Sequence, residues 1–131
     1  AMINGYCIGG GLGVALTADI RICSNESVFS IPAARLGLGY GFEGMKTLSD
    51  LIGPSSAKDI MFTARKLKAD EAANMGLVNM VTKPGELEVV VQNYVDKISE
   101  NEDIFFDSTH FGDKGYSIIS KKIMKLIRTK V

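Results

Sequence analysis

Apolar positions along the chain recur at two spacings, and the alternation between them predicts the order of elements. Leu12, Ala15, Leu16 and Ala18 occupy neighbouring helical positions, so residues 11–18 are expected to form a short buried helix that opens at Gly10 or Gly11 and ends at Asp19. Residues 20–24, "IRICS", alternate apolar and polar as a strand does, and "SVFSIP" (27–32) predicts a second strand stopped by Pro32. A glycine-rich stretch over 35–44 follows, and then Met45, Leu48, Leu51 and Ile52 make one helical stripe closed by Gly53. The pattern continues with a helix from Pro54 or Ser55 and another from about Ala69 to Gly76, the latter with Asp70 and Glu71 in its first turn. A short strand over 77–82 and amphipathic helices over 86–101 and 117–129 complete it.

Strands interleaved with helices place the chain in the α/β class, and 131 residues suffice for one domain with a sizeable core. Lys plus Arg and Asp plus Glu both number 15, so no global charge favours nucleic acid or an anionic membrane as partner. Asn4, Asp19 and Arg21 bracket the longest apolar run, which is too short to span a bilayer. The two cysteines, Cys7 and Cys23, match no metal spacing and no disulfide framework, so the expected compartment is a reducing cytoplasm, with no metal site. Charge is uneven in one place: six cations and no acidic side chain follow Asp113. Together with an aromatic, turn-rich texture beyond Glu102, this predicts a division into residues 1–102 and 103–131.

Three consecutive glycines, Gly9-Gly10-Gly11, lead directly into the first predicted helix. Unblocked backbone N–H groups at the positive end of a helix suit an oxyanion, such as a thioester oxygen as charge builds on it. Close packing of a helix start against a sheet explains the same glycines, and spacing alone leaves both open. A second run, Gly39-Tyr40-Gly41-Phe42-Glu43-Gly44, fits the G-x-G-x-x-G dinucleotide pattern, but "PAARLGL" before it is not a clean buried strand. Arg35 is either a cation beside a pocket or an ion-paired surface residue.

The segments "NGYCIGGGLGVALTADIRIC", "VFSIPAARLGL", "YGFEG" and "LIGPSSAKDIMFTARKLKADEAANMGLVNMV" together resemble the later half of the crotonase (enoyl-CoA hydratase/isomerase) superfamily over residues 1 to about 100. The resemblance implies a partial spiral of ββα units with C-terminal helices, an acyl-CoA substrate, and no cofactor beyond the coenzyme A that substrate carries. It implies that the Gly10 N–H is one oxyanion donor, that Gly9 and Gly11 shape the turn, and that Gly13, Ala33 and Gly41 face the substrate. Hydratases of the family carry glutamates at the positions held here by Gly13 and Ala33, neither of which transfers protons. Isomerases usually keep an acid at the second. The expectation is therefore a truncated or catalytically impaired thioester-binding member, with Tyr40 or Glu43 of the glycine loop as a displaced proton donor.

The tail, residues 103–127, is similar instead to the closing Asp-x-x-His block of SGNH/GDSL hydrolases, matched by Asp107 and His110. That separation lets an acid orient an imidazole, which gives an esterase alternative; a turn ahead of a packing helix is the other. No Gly-Asp-Ser nucleophile block occurs in the chain. A recombined reading frame that yields a non-catalytic, self-associating module is the remaining alternative, since open sheet edges favour homo-oligomers.

Overall fold

The computed structural model describes residues 1–99. Its elements run β1 (Met2–Ile3), β2 (Tyr6–Ile8), α1 (Gly10–Leu16), β3 (Ile22–Ser24), β4 (Val28–Ser30), α2 (Ala33–Leu36), α3 (Phe42–Ile52), α4 (Pro54–Thr63), β5 (Leu67–Lys68), α5 (Ala69–Asn74), β6 (Met80–Thr82) and α6 (Leu87–Ser99). The chain divides into two units, Ala1–Val91 and Gln92 onward, so that α6 begins in the first and continues into the second. The expected amphipathic helix over 117–129 and the change of texture after residue 102 lie outside the described residues.

Two passages of the chain repeat one plan. Strands β1 and β2 lead into α1, and β3 and β4 lead into α2; each passage gives its first strand to one sheet and its second to another. One sheet has the order β1-β3-β6 and is parallel throughout, with Ile3 opposite Cys23 and Cys23 opposite Val81. The other has the order β2-β4-β5, with Cys7 opposite Phe29 in a parallel pair and Phe29 opposite Leu67 in an antiparallel one. This is the expected partial ββα arrangement of the crotonase-like fold. Parallel neighbours need a crossover between them, and α1 lies in the connection of both parallel pairs, β1 to β3 and β2 to β4.

Phe29 and Leu67 of the β2-β4-β5 sheet, Leu12, Leu48 and Ile60 of three helices, and Leu77 are fully buried, and Ile3 and Cys23 of the other sheet belong to the same cluster, so one core joins both sheets to the helices. Strand β3 corrects the alternating reading of "IRICS": Ile22, Cys23 and Ser24 are all buried, and so is Arg21. A strand between two others in a parallel sheet is covered on both faces, and its polar members survive by hydrogen bonding. Arg21 Nε donates to Leu77 O at 2.9 Å, its Nη1 donates to Ala18 O, and Ser24 Oγ pairs with Ser27 Oγ at 3.0 Å.

Other boundaries differ for local reasons. The stretch 33–36, for which the sequence pattern predicts no element, is a short helix that starts behind Pro32, a residue pre-set for a helix start. Helix α3 begins at Phe42, three residues before the apolar stripe, because Gly41 is extended and Glu43 occupies the favourable first turn. Strand β6 is shorter than 77–82. Leu77 N is already bonded to Ala72 O (2.8 Å) and Asn79 N to Arg21 O (2.8 Å), so only Met80–Thr82 join the ladder. Gly53 ends α3 at φ 82°, a value that side chains resist, and starts α4 at once with Pro54 at its first position.

Candidate active site

The start of α1 is built on an unusual backbone. Gly9 sits at φ 57°, ψ −116°, a conformation open to glycine and strained for other residues, and its N–H donates to Ser30 O at 2.9 Å. That bond fixes the turn to the end of β4. The first bond along the helix runs from Gly13 N to Gly9 O (3.0 Å), so the N–H groups of Gly10, Gly11 and Leu12 precede the helical ladder.

A cavity of about 330 Å³ lies against this turn. One wall is α1 with Gly9, Leu12, Gly13, Leu16 and Thr17; the others are Ile31 after β4, Tyr40, the first turns of α3, and Met61 of α4. The volume and the mostly apolar lining suit a small organic ligand. A Cβ placed on Gly13 would meet nothing within 4 Å, whereas one on Gly9 would come 3.9 Å from Tyr40 Oη. The missing side chain at Gly13 therefore leaves open space on the cavity wall.

Of the residues singled out from sequence, this cavity brings together Gly9, Gly13, Tyr40 and Glu43. Gly11 lines a separate, more open cavity of about 450 Å³ that also includes Met2, Tyr6 and Val14. Gly10 and Gly41 line neither cavity; Gly41 caps α3 through its carbonyl, which accepts from Met45 N at 3.2 Å. Ala33, expected to face substrate, is instead the buried first residue of α2, part of the core, and absent from both cavity walls. A methyl group carries no cost in the interior, and helix formation directly after Pro32 turns this residue inward.

Arg35 is exposed on α2, on neither cavity wall described above and with no ion pair among the described residues. The G-x-G-x-x-G run follows a helix, α2, where a dinucleotide fingerprint follows a strand. Asp107 and His110 lie outside the described residues. Among the described residues no group of His, Cys, Asp and Glu is arranged to hold a metal, and no helix is long and apolar enough to cross a membrane.

The apolar lining was missed. Leu12 and Leu48 carried the helical signal, yet that signal marks any buried residue and does not say that Leu16, Ile31 and Met61 converge on one space. Arg65 was missed too: it joins Asp59 (2.7 Å) and Glu71 in a partly exposed network that ties the end of α4 to α5. Cys7 and Cys23 are buried free thiols, and burial pushes Cys23 up to about 11.

A family model described as enoyl-CoA hydratase/isomerase matches residues 1–108, most of the chain. The chain belongs to the enoyl-CoA hydratase/isomerase family. A short-chain-enoyl-CoA hydratase of Clostridium acetobutylicum is 44% identical over 101 residues, which cover 77% of this chain and 39% of that protein. The crystal structure of an enoyl-CoA hydratase subunit I from Geobacillus kaustophilus aligns with TM-score 0.70 and 33% identity, over 75% of this chain and 39% of the other. The match to a glyoxysomal fatty acid beta-oxidation multifunctional protein of Cucumis sativus, 34% identical over 131 residues, takes in 99% of this chain and 18% of that one. The chain thus spans about two fifths of the length of these two hydratases, and less of the multifunctional protein.

Proposed function

We propose that this enoyl-CoA hydratase/isomerase family portion binds acyl-CoA thioesters, with the acyl group in the cavity beside α1 and the Gly10 N–H directed at the thioester oxygen. The observation that carries this reading is the cavity itself: an apolar space of about 330 Å³ whose wall is the Gly9 turn, in a chain of this family. The N–H of Gly10 follows that turn and precedes the first bond of the helix, so it is free to donate to a developing oxyanion. Gly9 sets the backbone, and Gly13 and Gly44 leave the walls low. Coenzyme A is part of the substrate, and no further cofactor is proposed.

Water addition with two carboxylates at the family positions is not proposed, because Gly13 and Ala33 carry no proton-transfer group. Self-association and a cytoplasmic location complete the proposal. The first is supported by exposed Met2, Tyr6 and Val14 around the β1 and β2 edges, the second by free buried thiols at Cys7 and Cys23.

Calorimetric titration of the full chain with acetoacetyl-CoA tests the reading. Saturable binding is expected, weakened at least tenfold in Gly13→Phe, whose ring fills the open space on the cavity wall. A flat titration of the unaltered chain, or equal affinity in Gly13→Phe, would overturn it.

A further inference from the structure

One side chain of the cavity beside α1 also bounds a second space. Met61 of α4 lines both the cavity of about 330 Å³ and a smaller one of about 80 Å³ between α3 and α4, and among the described residues it is the one lining residue that the two have in common. Helix α3 divides between them, with Gly44, Thr47 and Leu48 on the larger cavity and Met45 and Ser49 on the smaller. Leu48 is 1% exposed and fixed in the core, whereas Met61 is half-buried and packs on the edge of that core. Methionine is unbranched, with three rotatable bonds and a soft thioether, so Met61 is the part of this partition that can move aside. Beyond it lie the buried Ala57 and, 40% and 72% exposed, Met45 and Phe62, so the smaller cavity opens toward solvent.

We infer that Met61 sets the acyl-chain length this cavity accepts: a short chain stops against it, and a longer unbranched one displaces it to run between α3 and α4. The inference rests on the thioester reading above. With the thioester at the Gly9 turn, α3 packs against both α1 and α4 and so carries the wall from the helix of that turn to the helix of Met61. The lining beyond Met61 suits the tail of a fatty acyl group. Methylenes need no hydrogen-bond partner, and the exposed Met45 and Phe62 lose contact with water when a tail lies between them. Ser49 and Lys58 are the polar members of that lining. Lys58 is exposed, so its stem covers a tail while its ammonium stays in water.

The test titrates the full chain calorimetrically with butyryl-CoA and decanoyl-CoA. Met61→Ala is expected to raise decanoyl-CoA affinity about tenfold, the effect of burying about two further methylenes, and to change butyryl-CoA affinity by less than about threefold. Met61→Leu exchanges the flexible thioether for a branched chain of similar volume and should weaken decanoyl-CoA binding alone. Ser49→Phe, which fills the smaller cavity from α3, should cancel the gain when combined with Met61→Ala. Equal changes for both thioesters in Met61→Ala, unaltered decanoyl-CoA affinity in Met61→Leu, or a gain that survives Ser49→Phe would each overturn this inference and leave the binding proposal standing. Flat titrations of the unaltered chain with both thioesters would overturn both.

Discussion

Around Arg21 each buried polar side chain is used, whereas around Gly9 and Gly13 the polar groups border open space. The guanidinium lies beneath β3 and the turn after α5, bonded to Leu77 O and Ala18 O, while its own backbone exchanges bonds with Asn79. No buried side-chain nitrogen or oxygen among the described residues lacks a partner. On the other side of α1, the helix starts with uncommitted N–H groups, and Glu43 and Tyr40 stand beside a cavity. Hydrogen bonding in the first region leaves nothing for a ligand and holds the sheet; in the second, glycine keeps the backbone accessible. Only twelve positions separate Gly9, beside open space, from Arg21, which holds the fold.

Removing Arg21 breaks the contrast most severely. Arg21→Met takes the side-chain donor from the buried Leu77 carbonyl and the partly buried Ala18 carbonyl and is expected to cost about 2–4 kcal/mol in urea unfolding, with thioester affinity unchanged in the folded fraction. Gly9→Ala attacks the other region: at φ 57° a side chain is strained by about 1–3 kcal/mol, and thermal unfolding and acetoacetyl-CoA titration should both register the loss. The thiols give a pH test of burial. Burial chiefly, with the nearby charge of Asp70, raises Cys23 from an ordinary value of 9.0 to about 11. The folded state then holds the proton more tightly than the unfolded chain, so this contribution is fully present below pH 9 and is lost as pH rises through 11. Urea midpoints measured from pH 8 to 11 should fall along that range, with a shallower slope in Cys23→Ala. The smallest effect separates the two glycines: Gly13→Ala has open space and ordinary helical backbone. It is expected to stabilise by about 0.5–1 kcal/mol, the opposite sign to Gly9→Ala, in the same unfolding assay.

Much of this was legible in the residues. Local rules placed α1, α4 and α5 within a few residues, because glycine stops, Pro54 and the acidic first turn of α5 act over single turns. The same rules missed β1, β2 and β5, which are two or three residues long and exist only because a partner strand lies beside them. Of the residues put forward for the candidate site, Gly9, Gly13, Tyr40 and Glu43 line one cavity. Ala33 was expected there on the same ground and is buried elsewhere, since its neighbours in space are set by Pro32 and the core.

The sequence alone determined the family, the order of the main helices and the want of carboxylates at positions 13 and 33, because these depend on residue identity and short-range periodicity. Tertiary structure decided which uncommitted groups meet. Tyr40 and Glu43 lie about thirty residues beyond Gly9 and Gly13 in the chain, and no local spacing brings them to one wall. The packing of α3 against α1 and α4 does so, and it places the cavity's one carboxylate on a helix other than the one that carries the glycines.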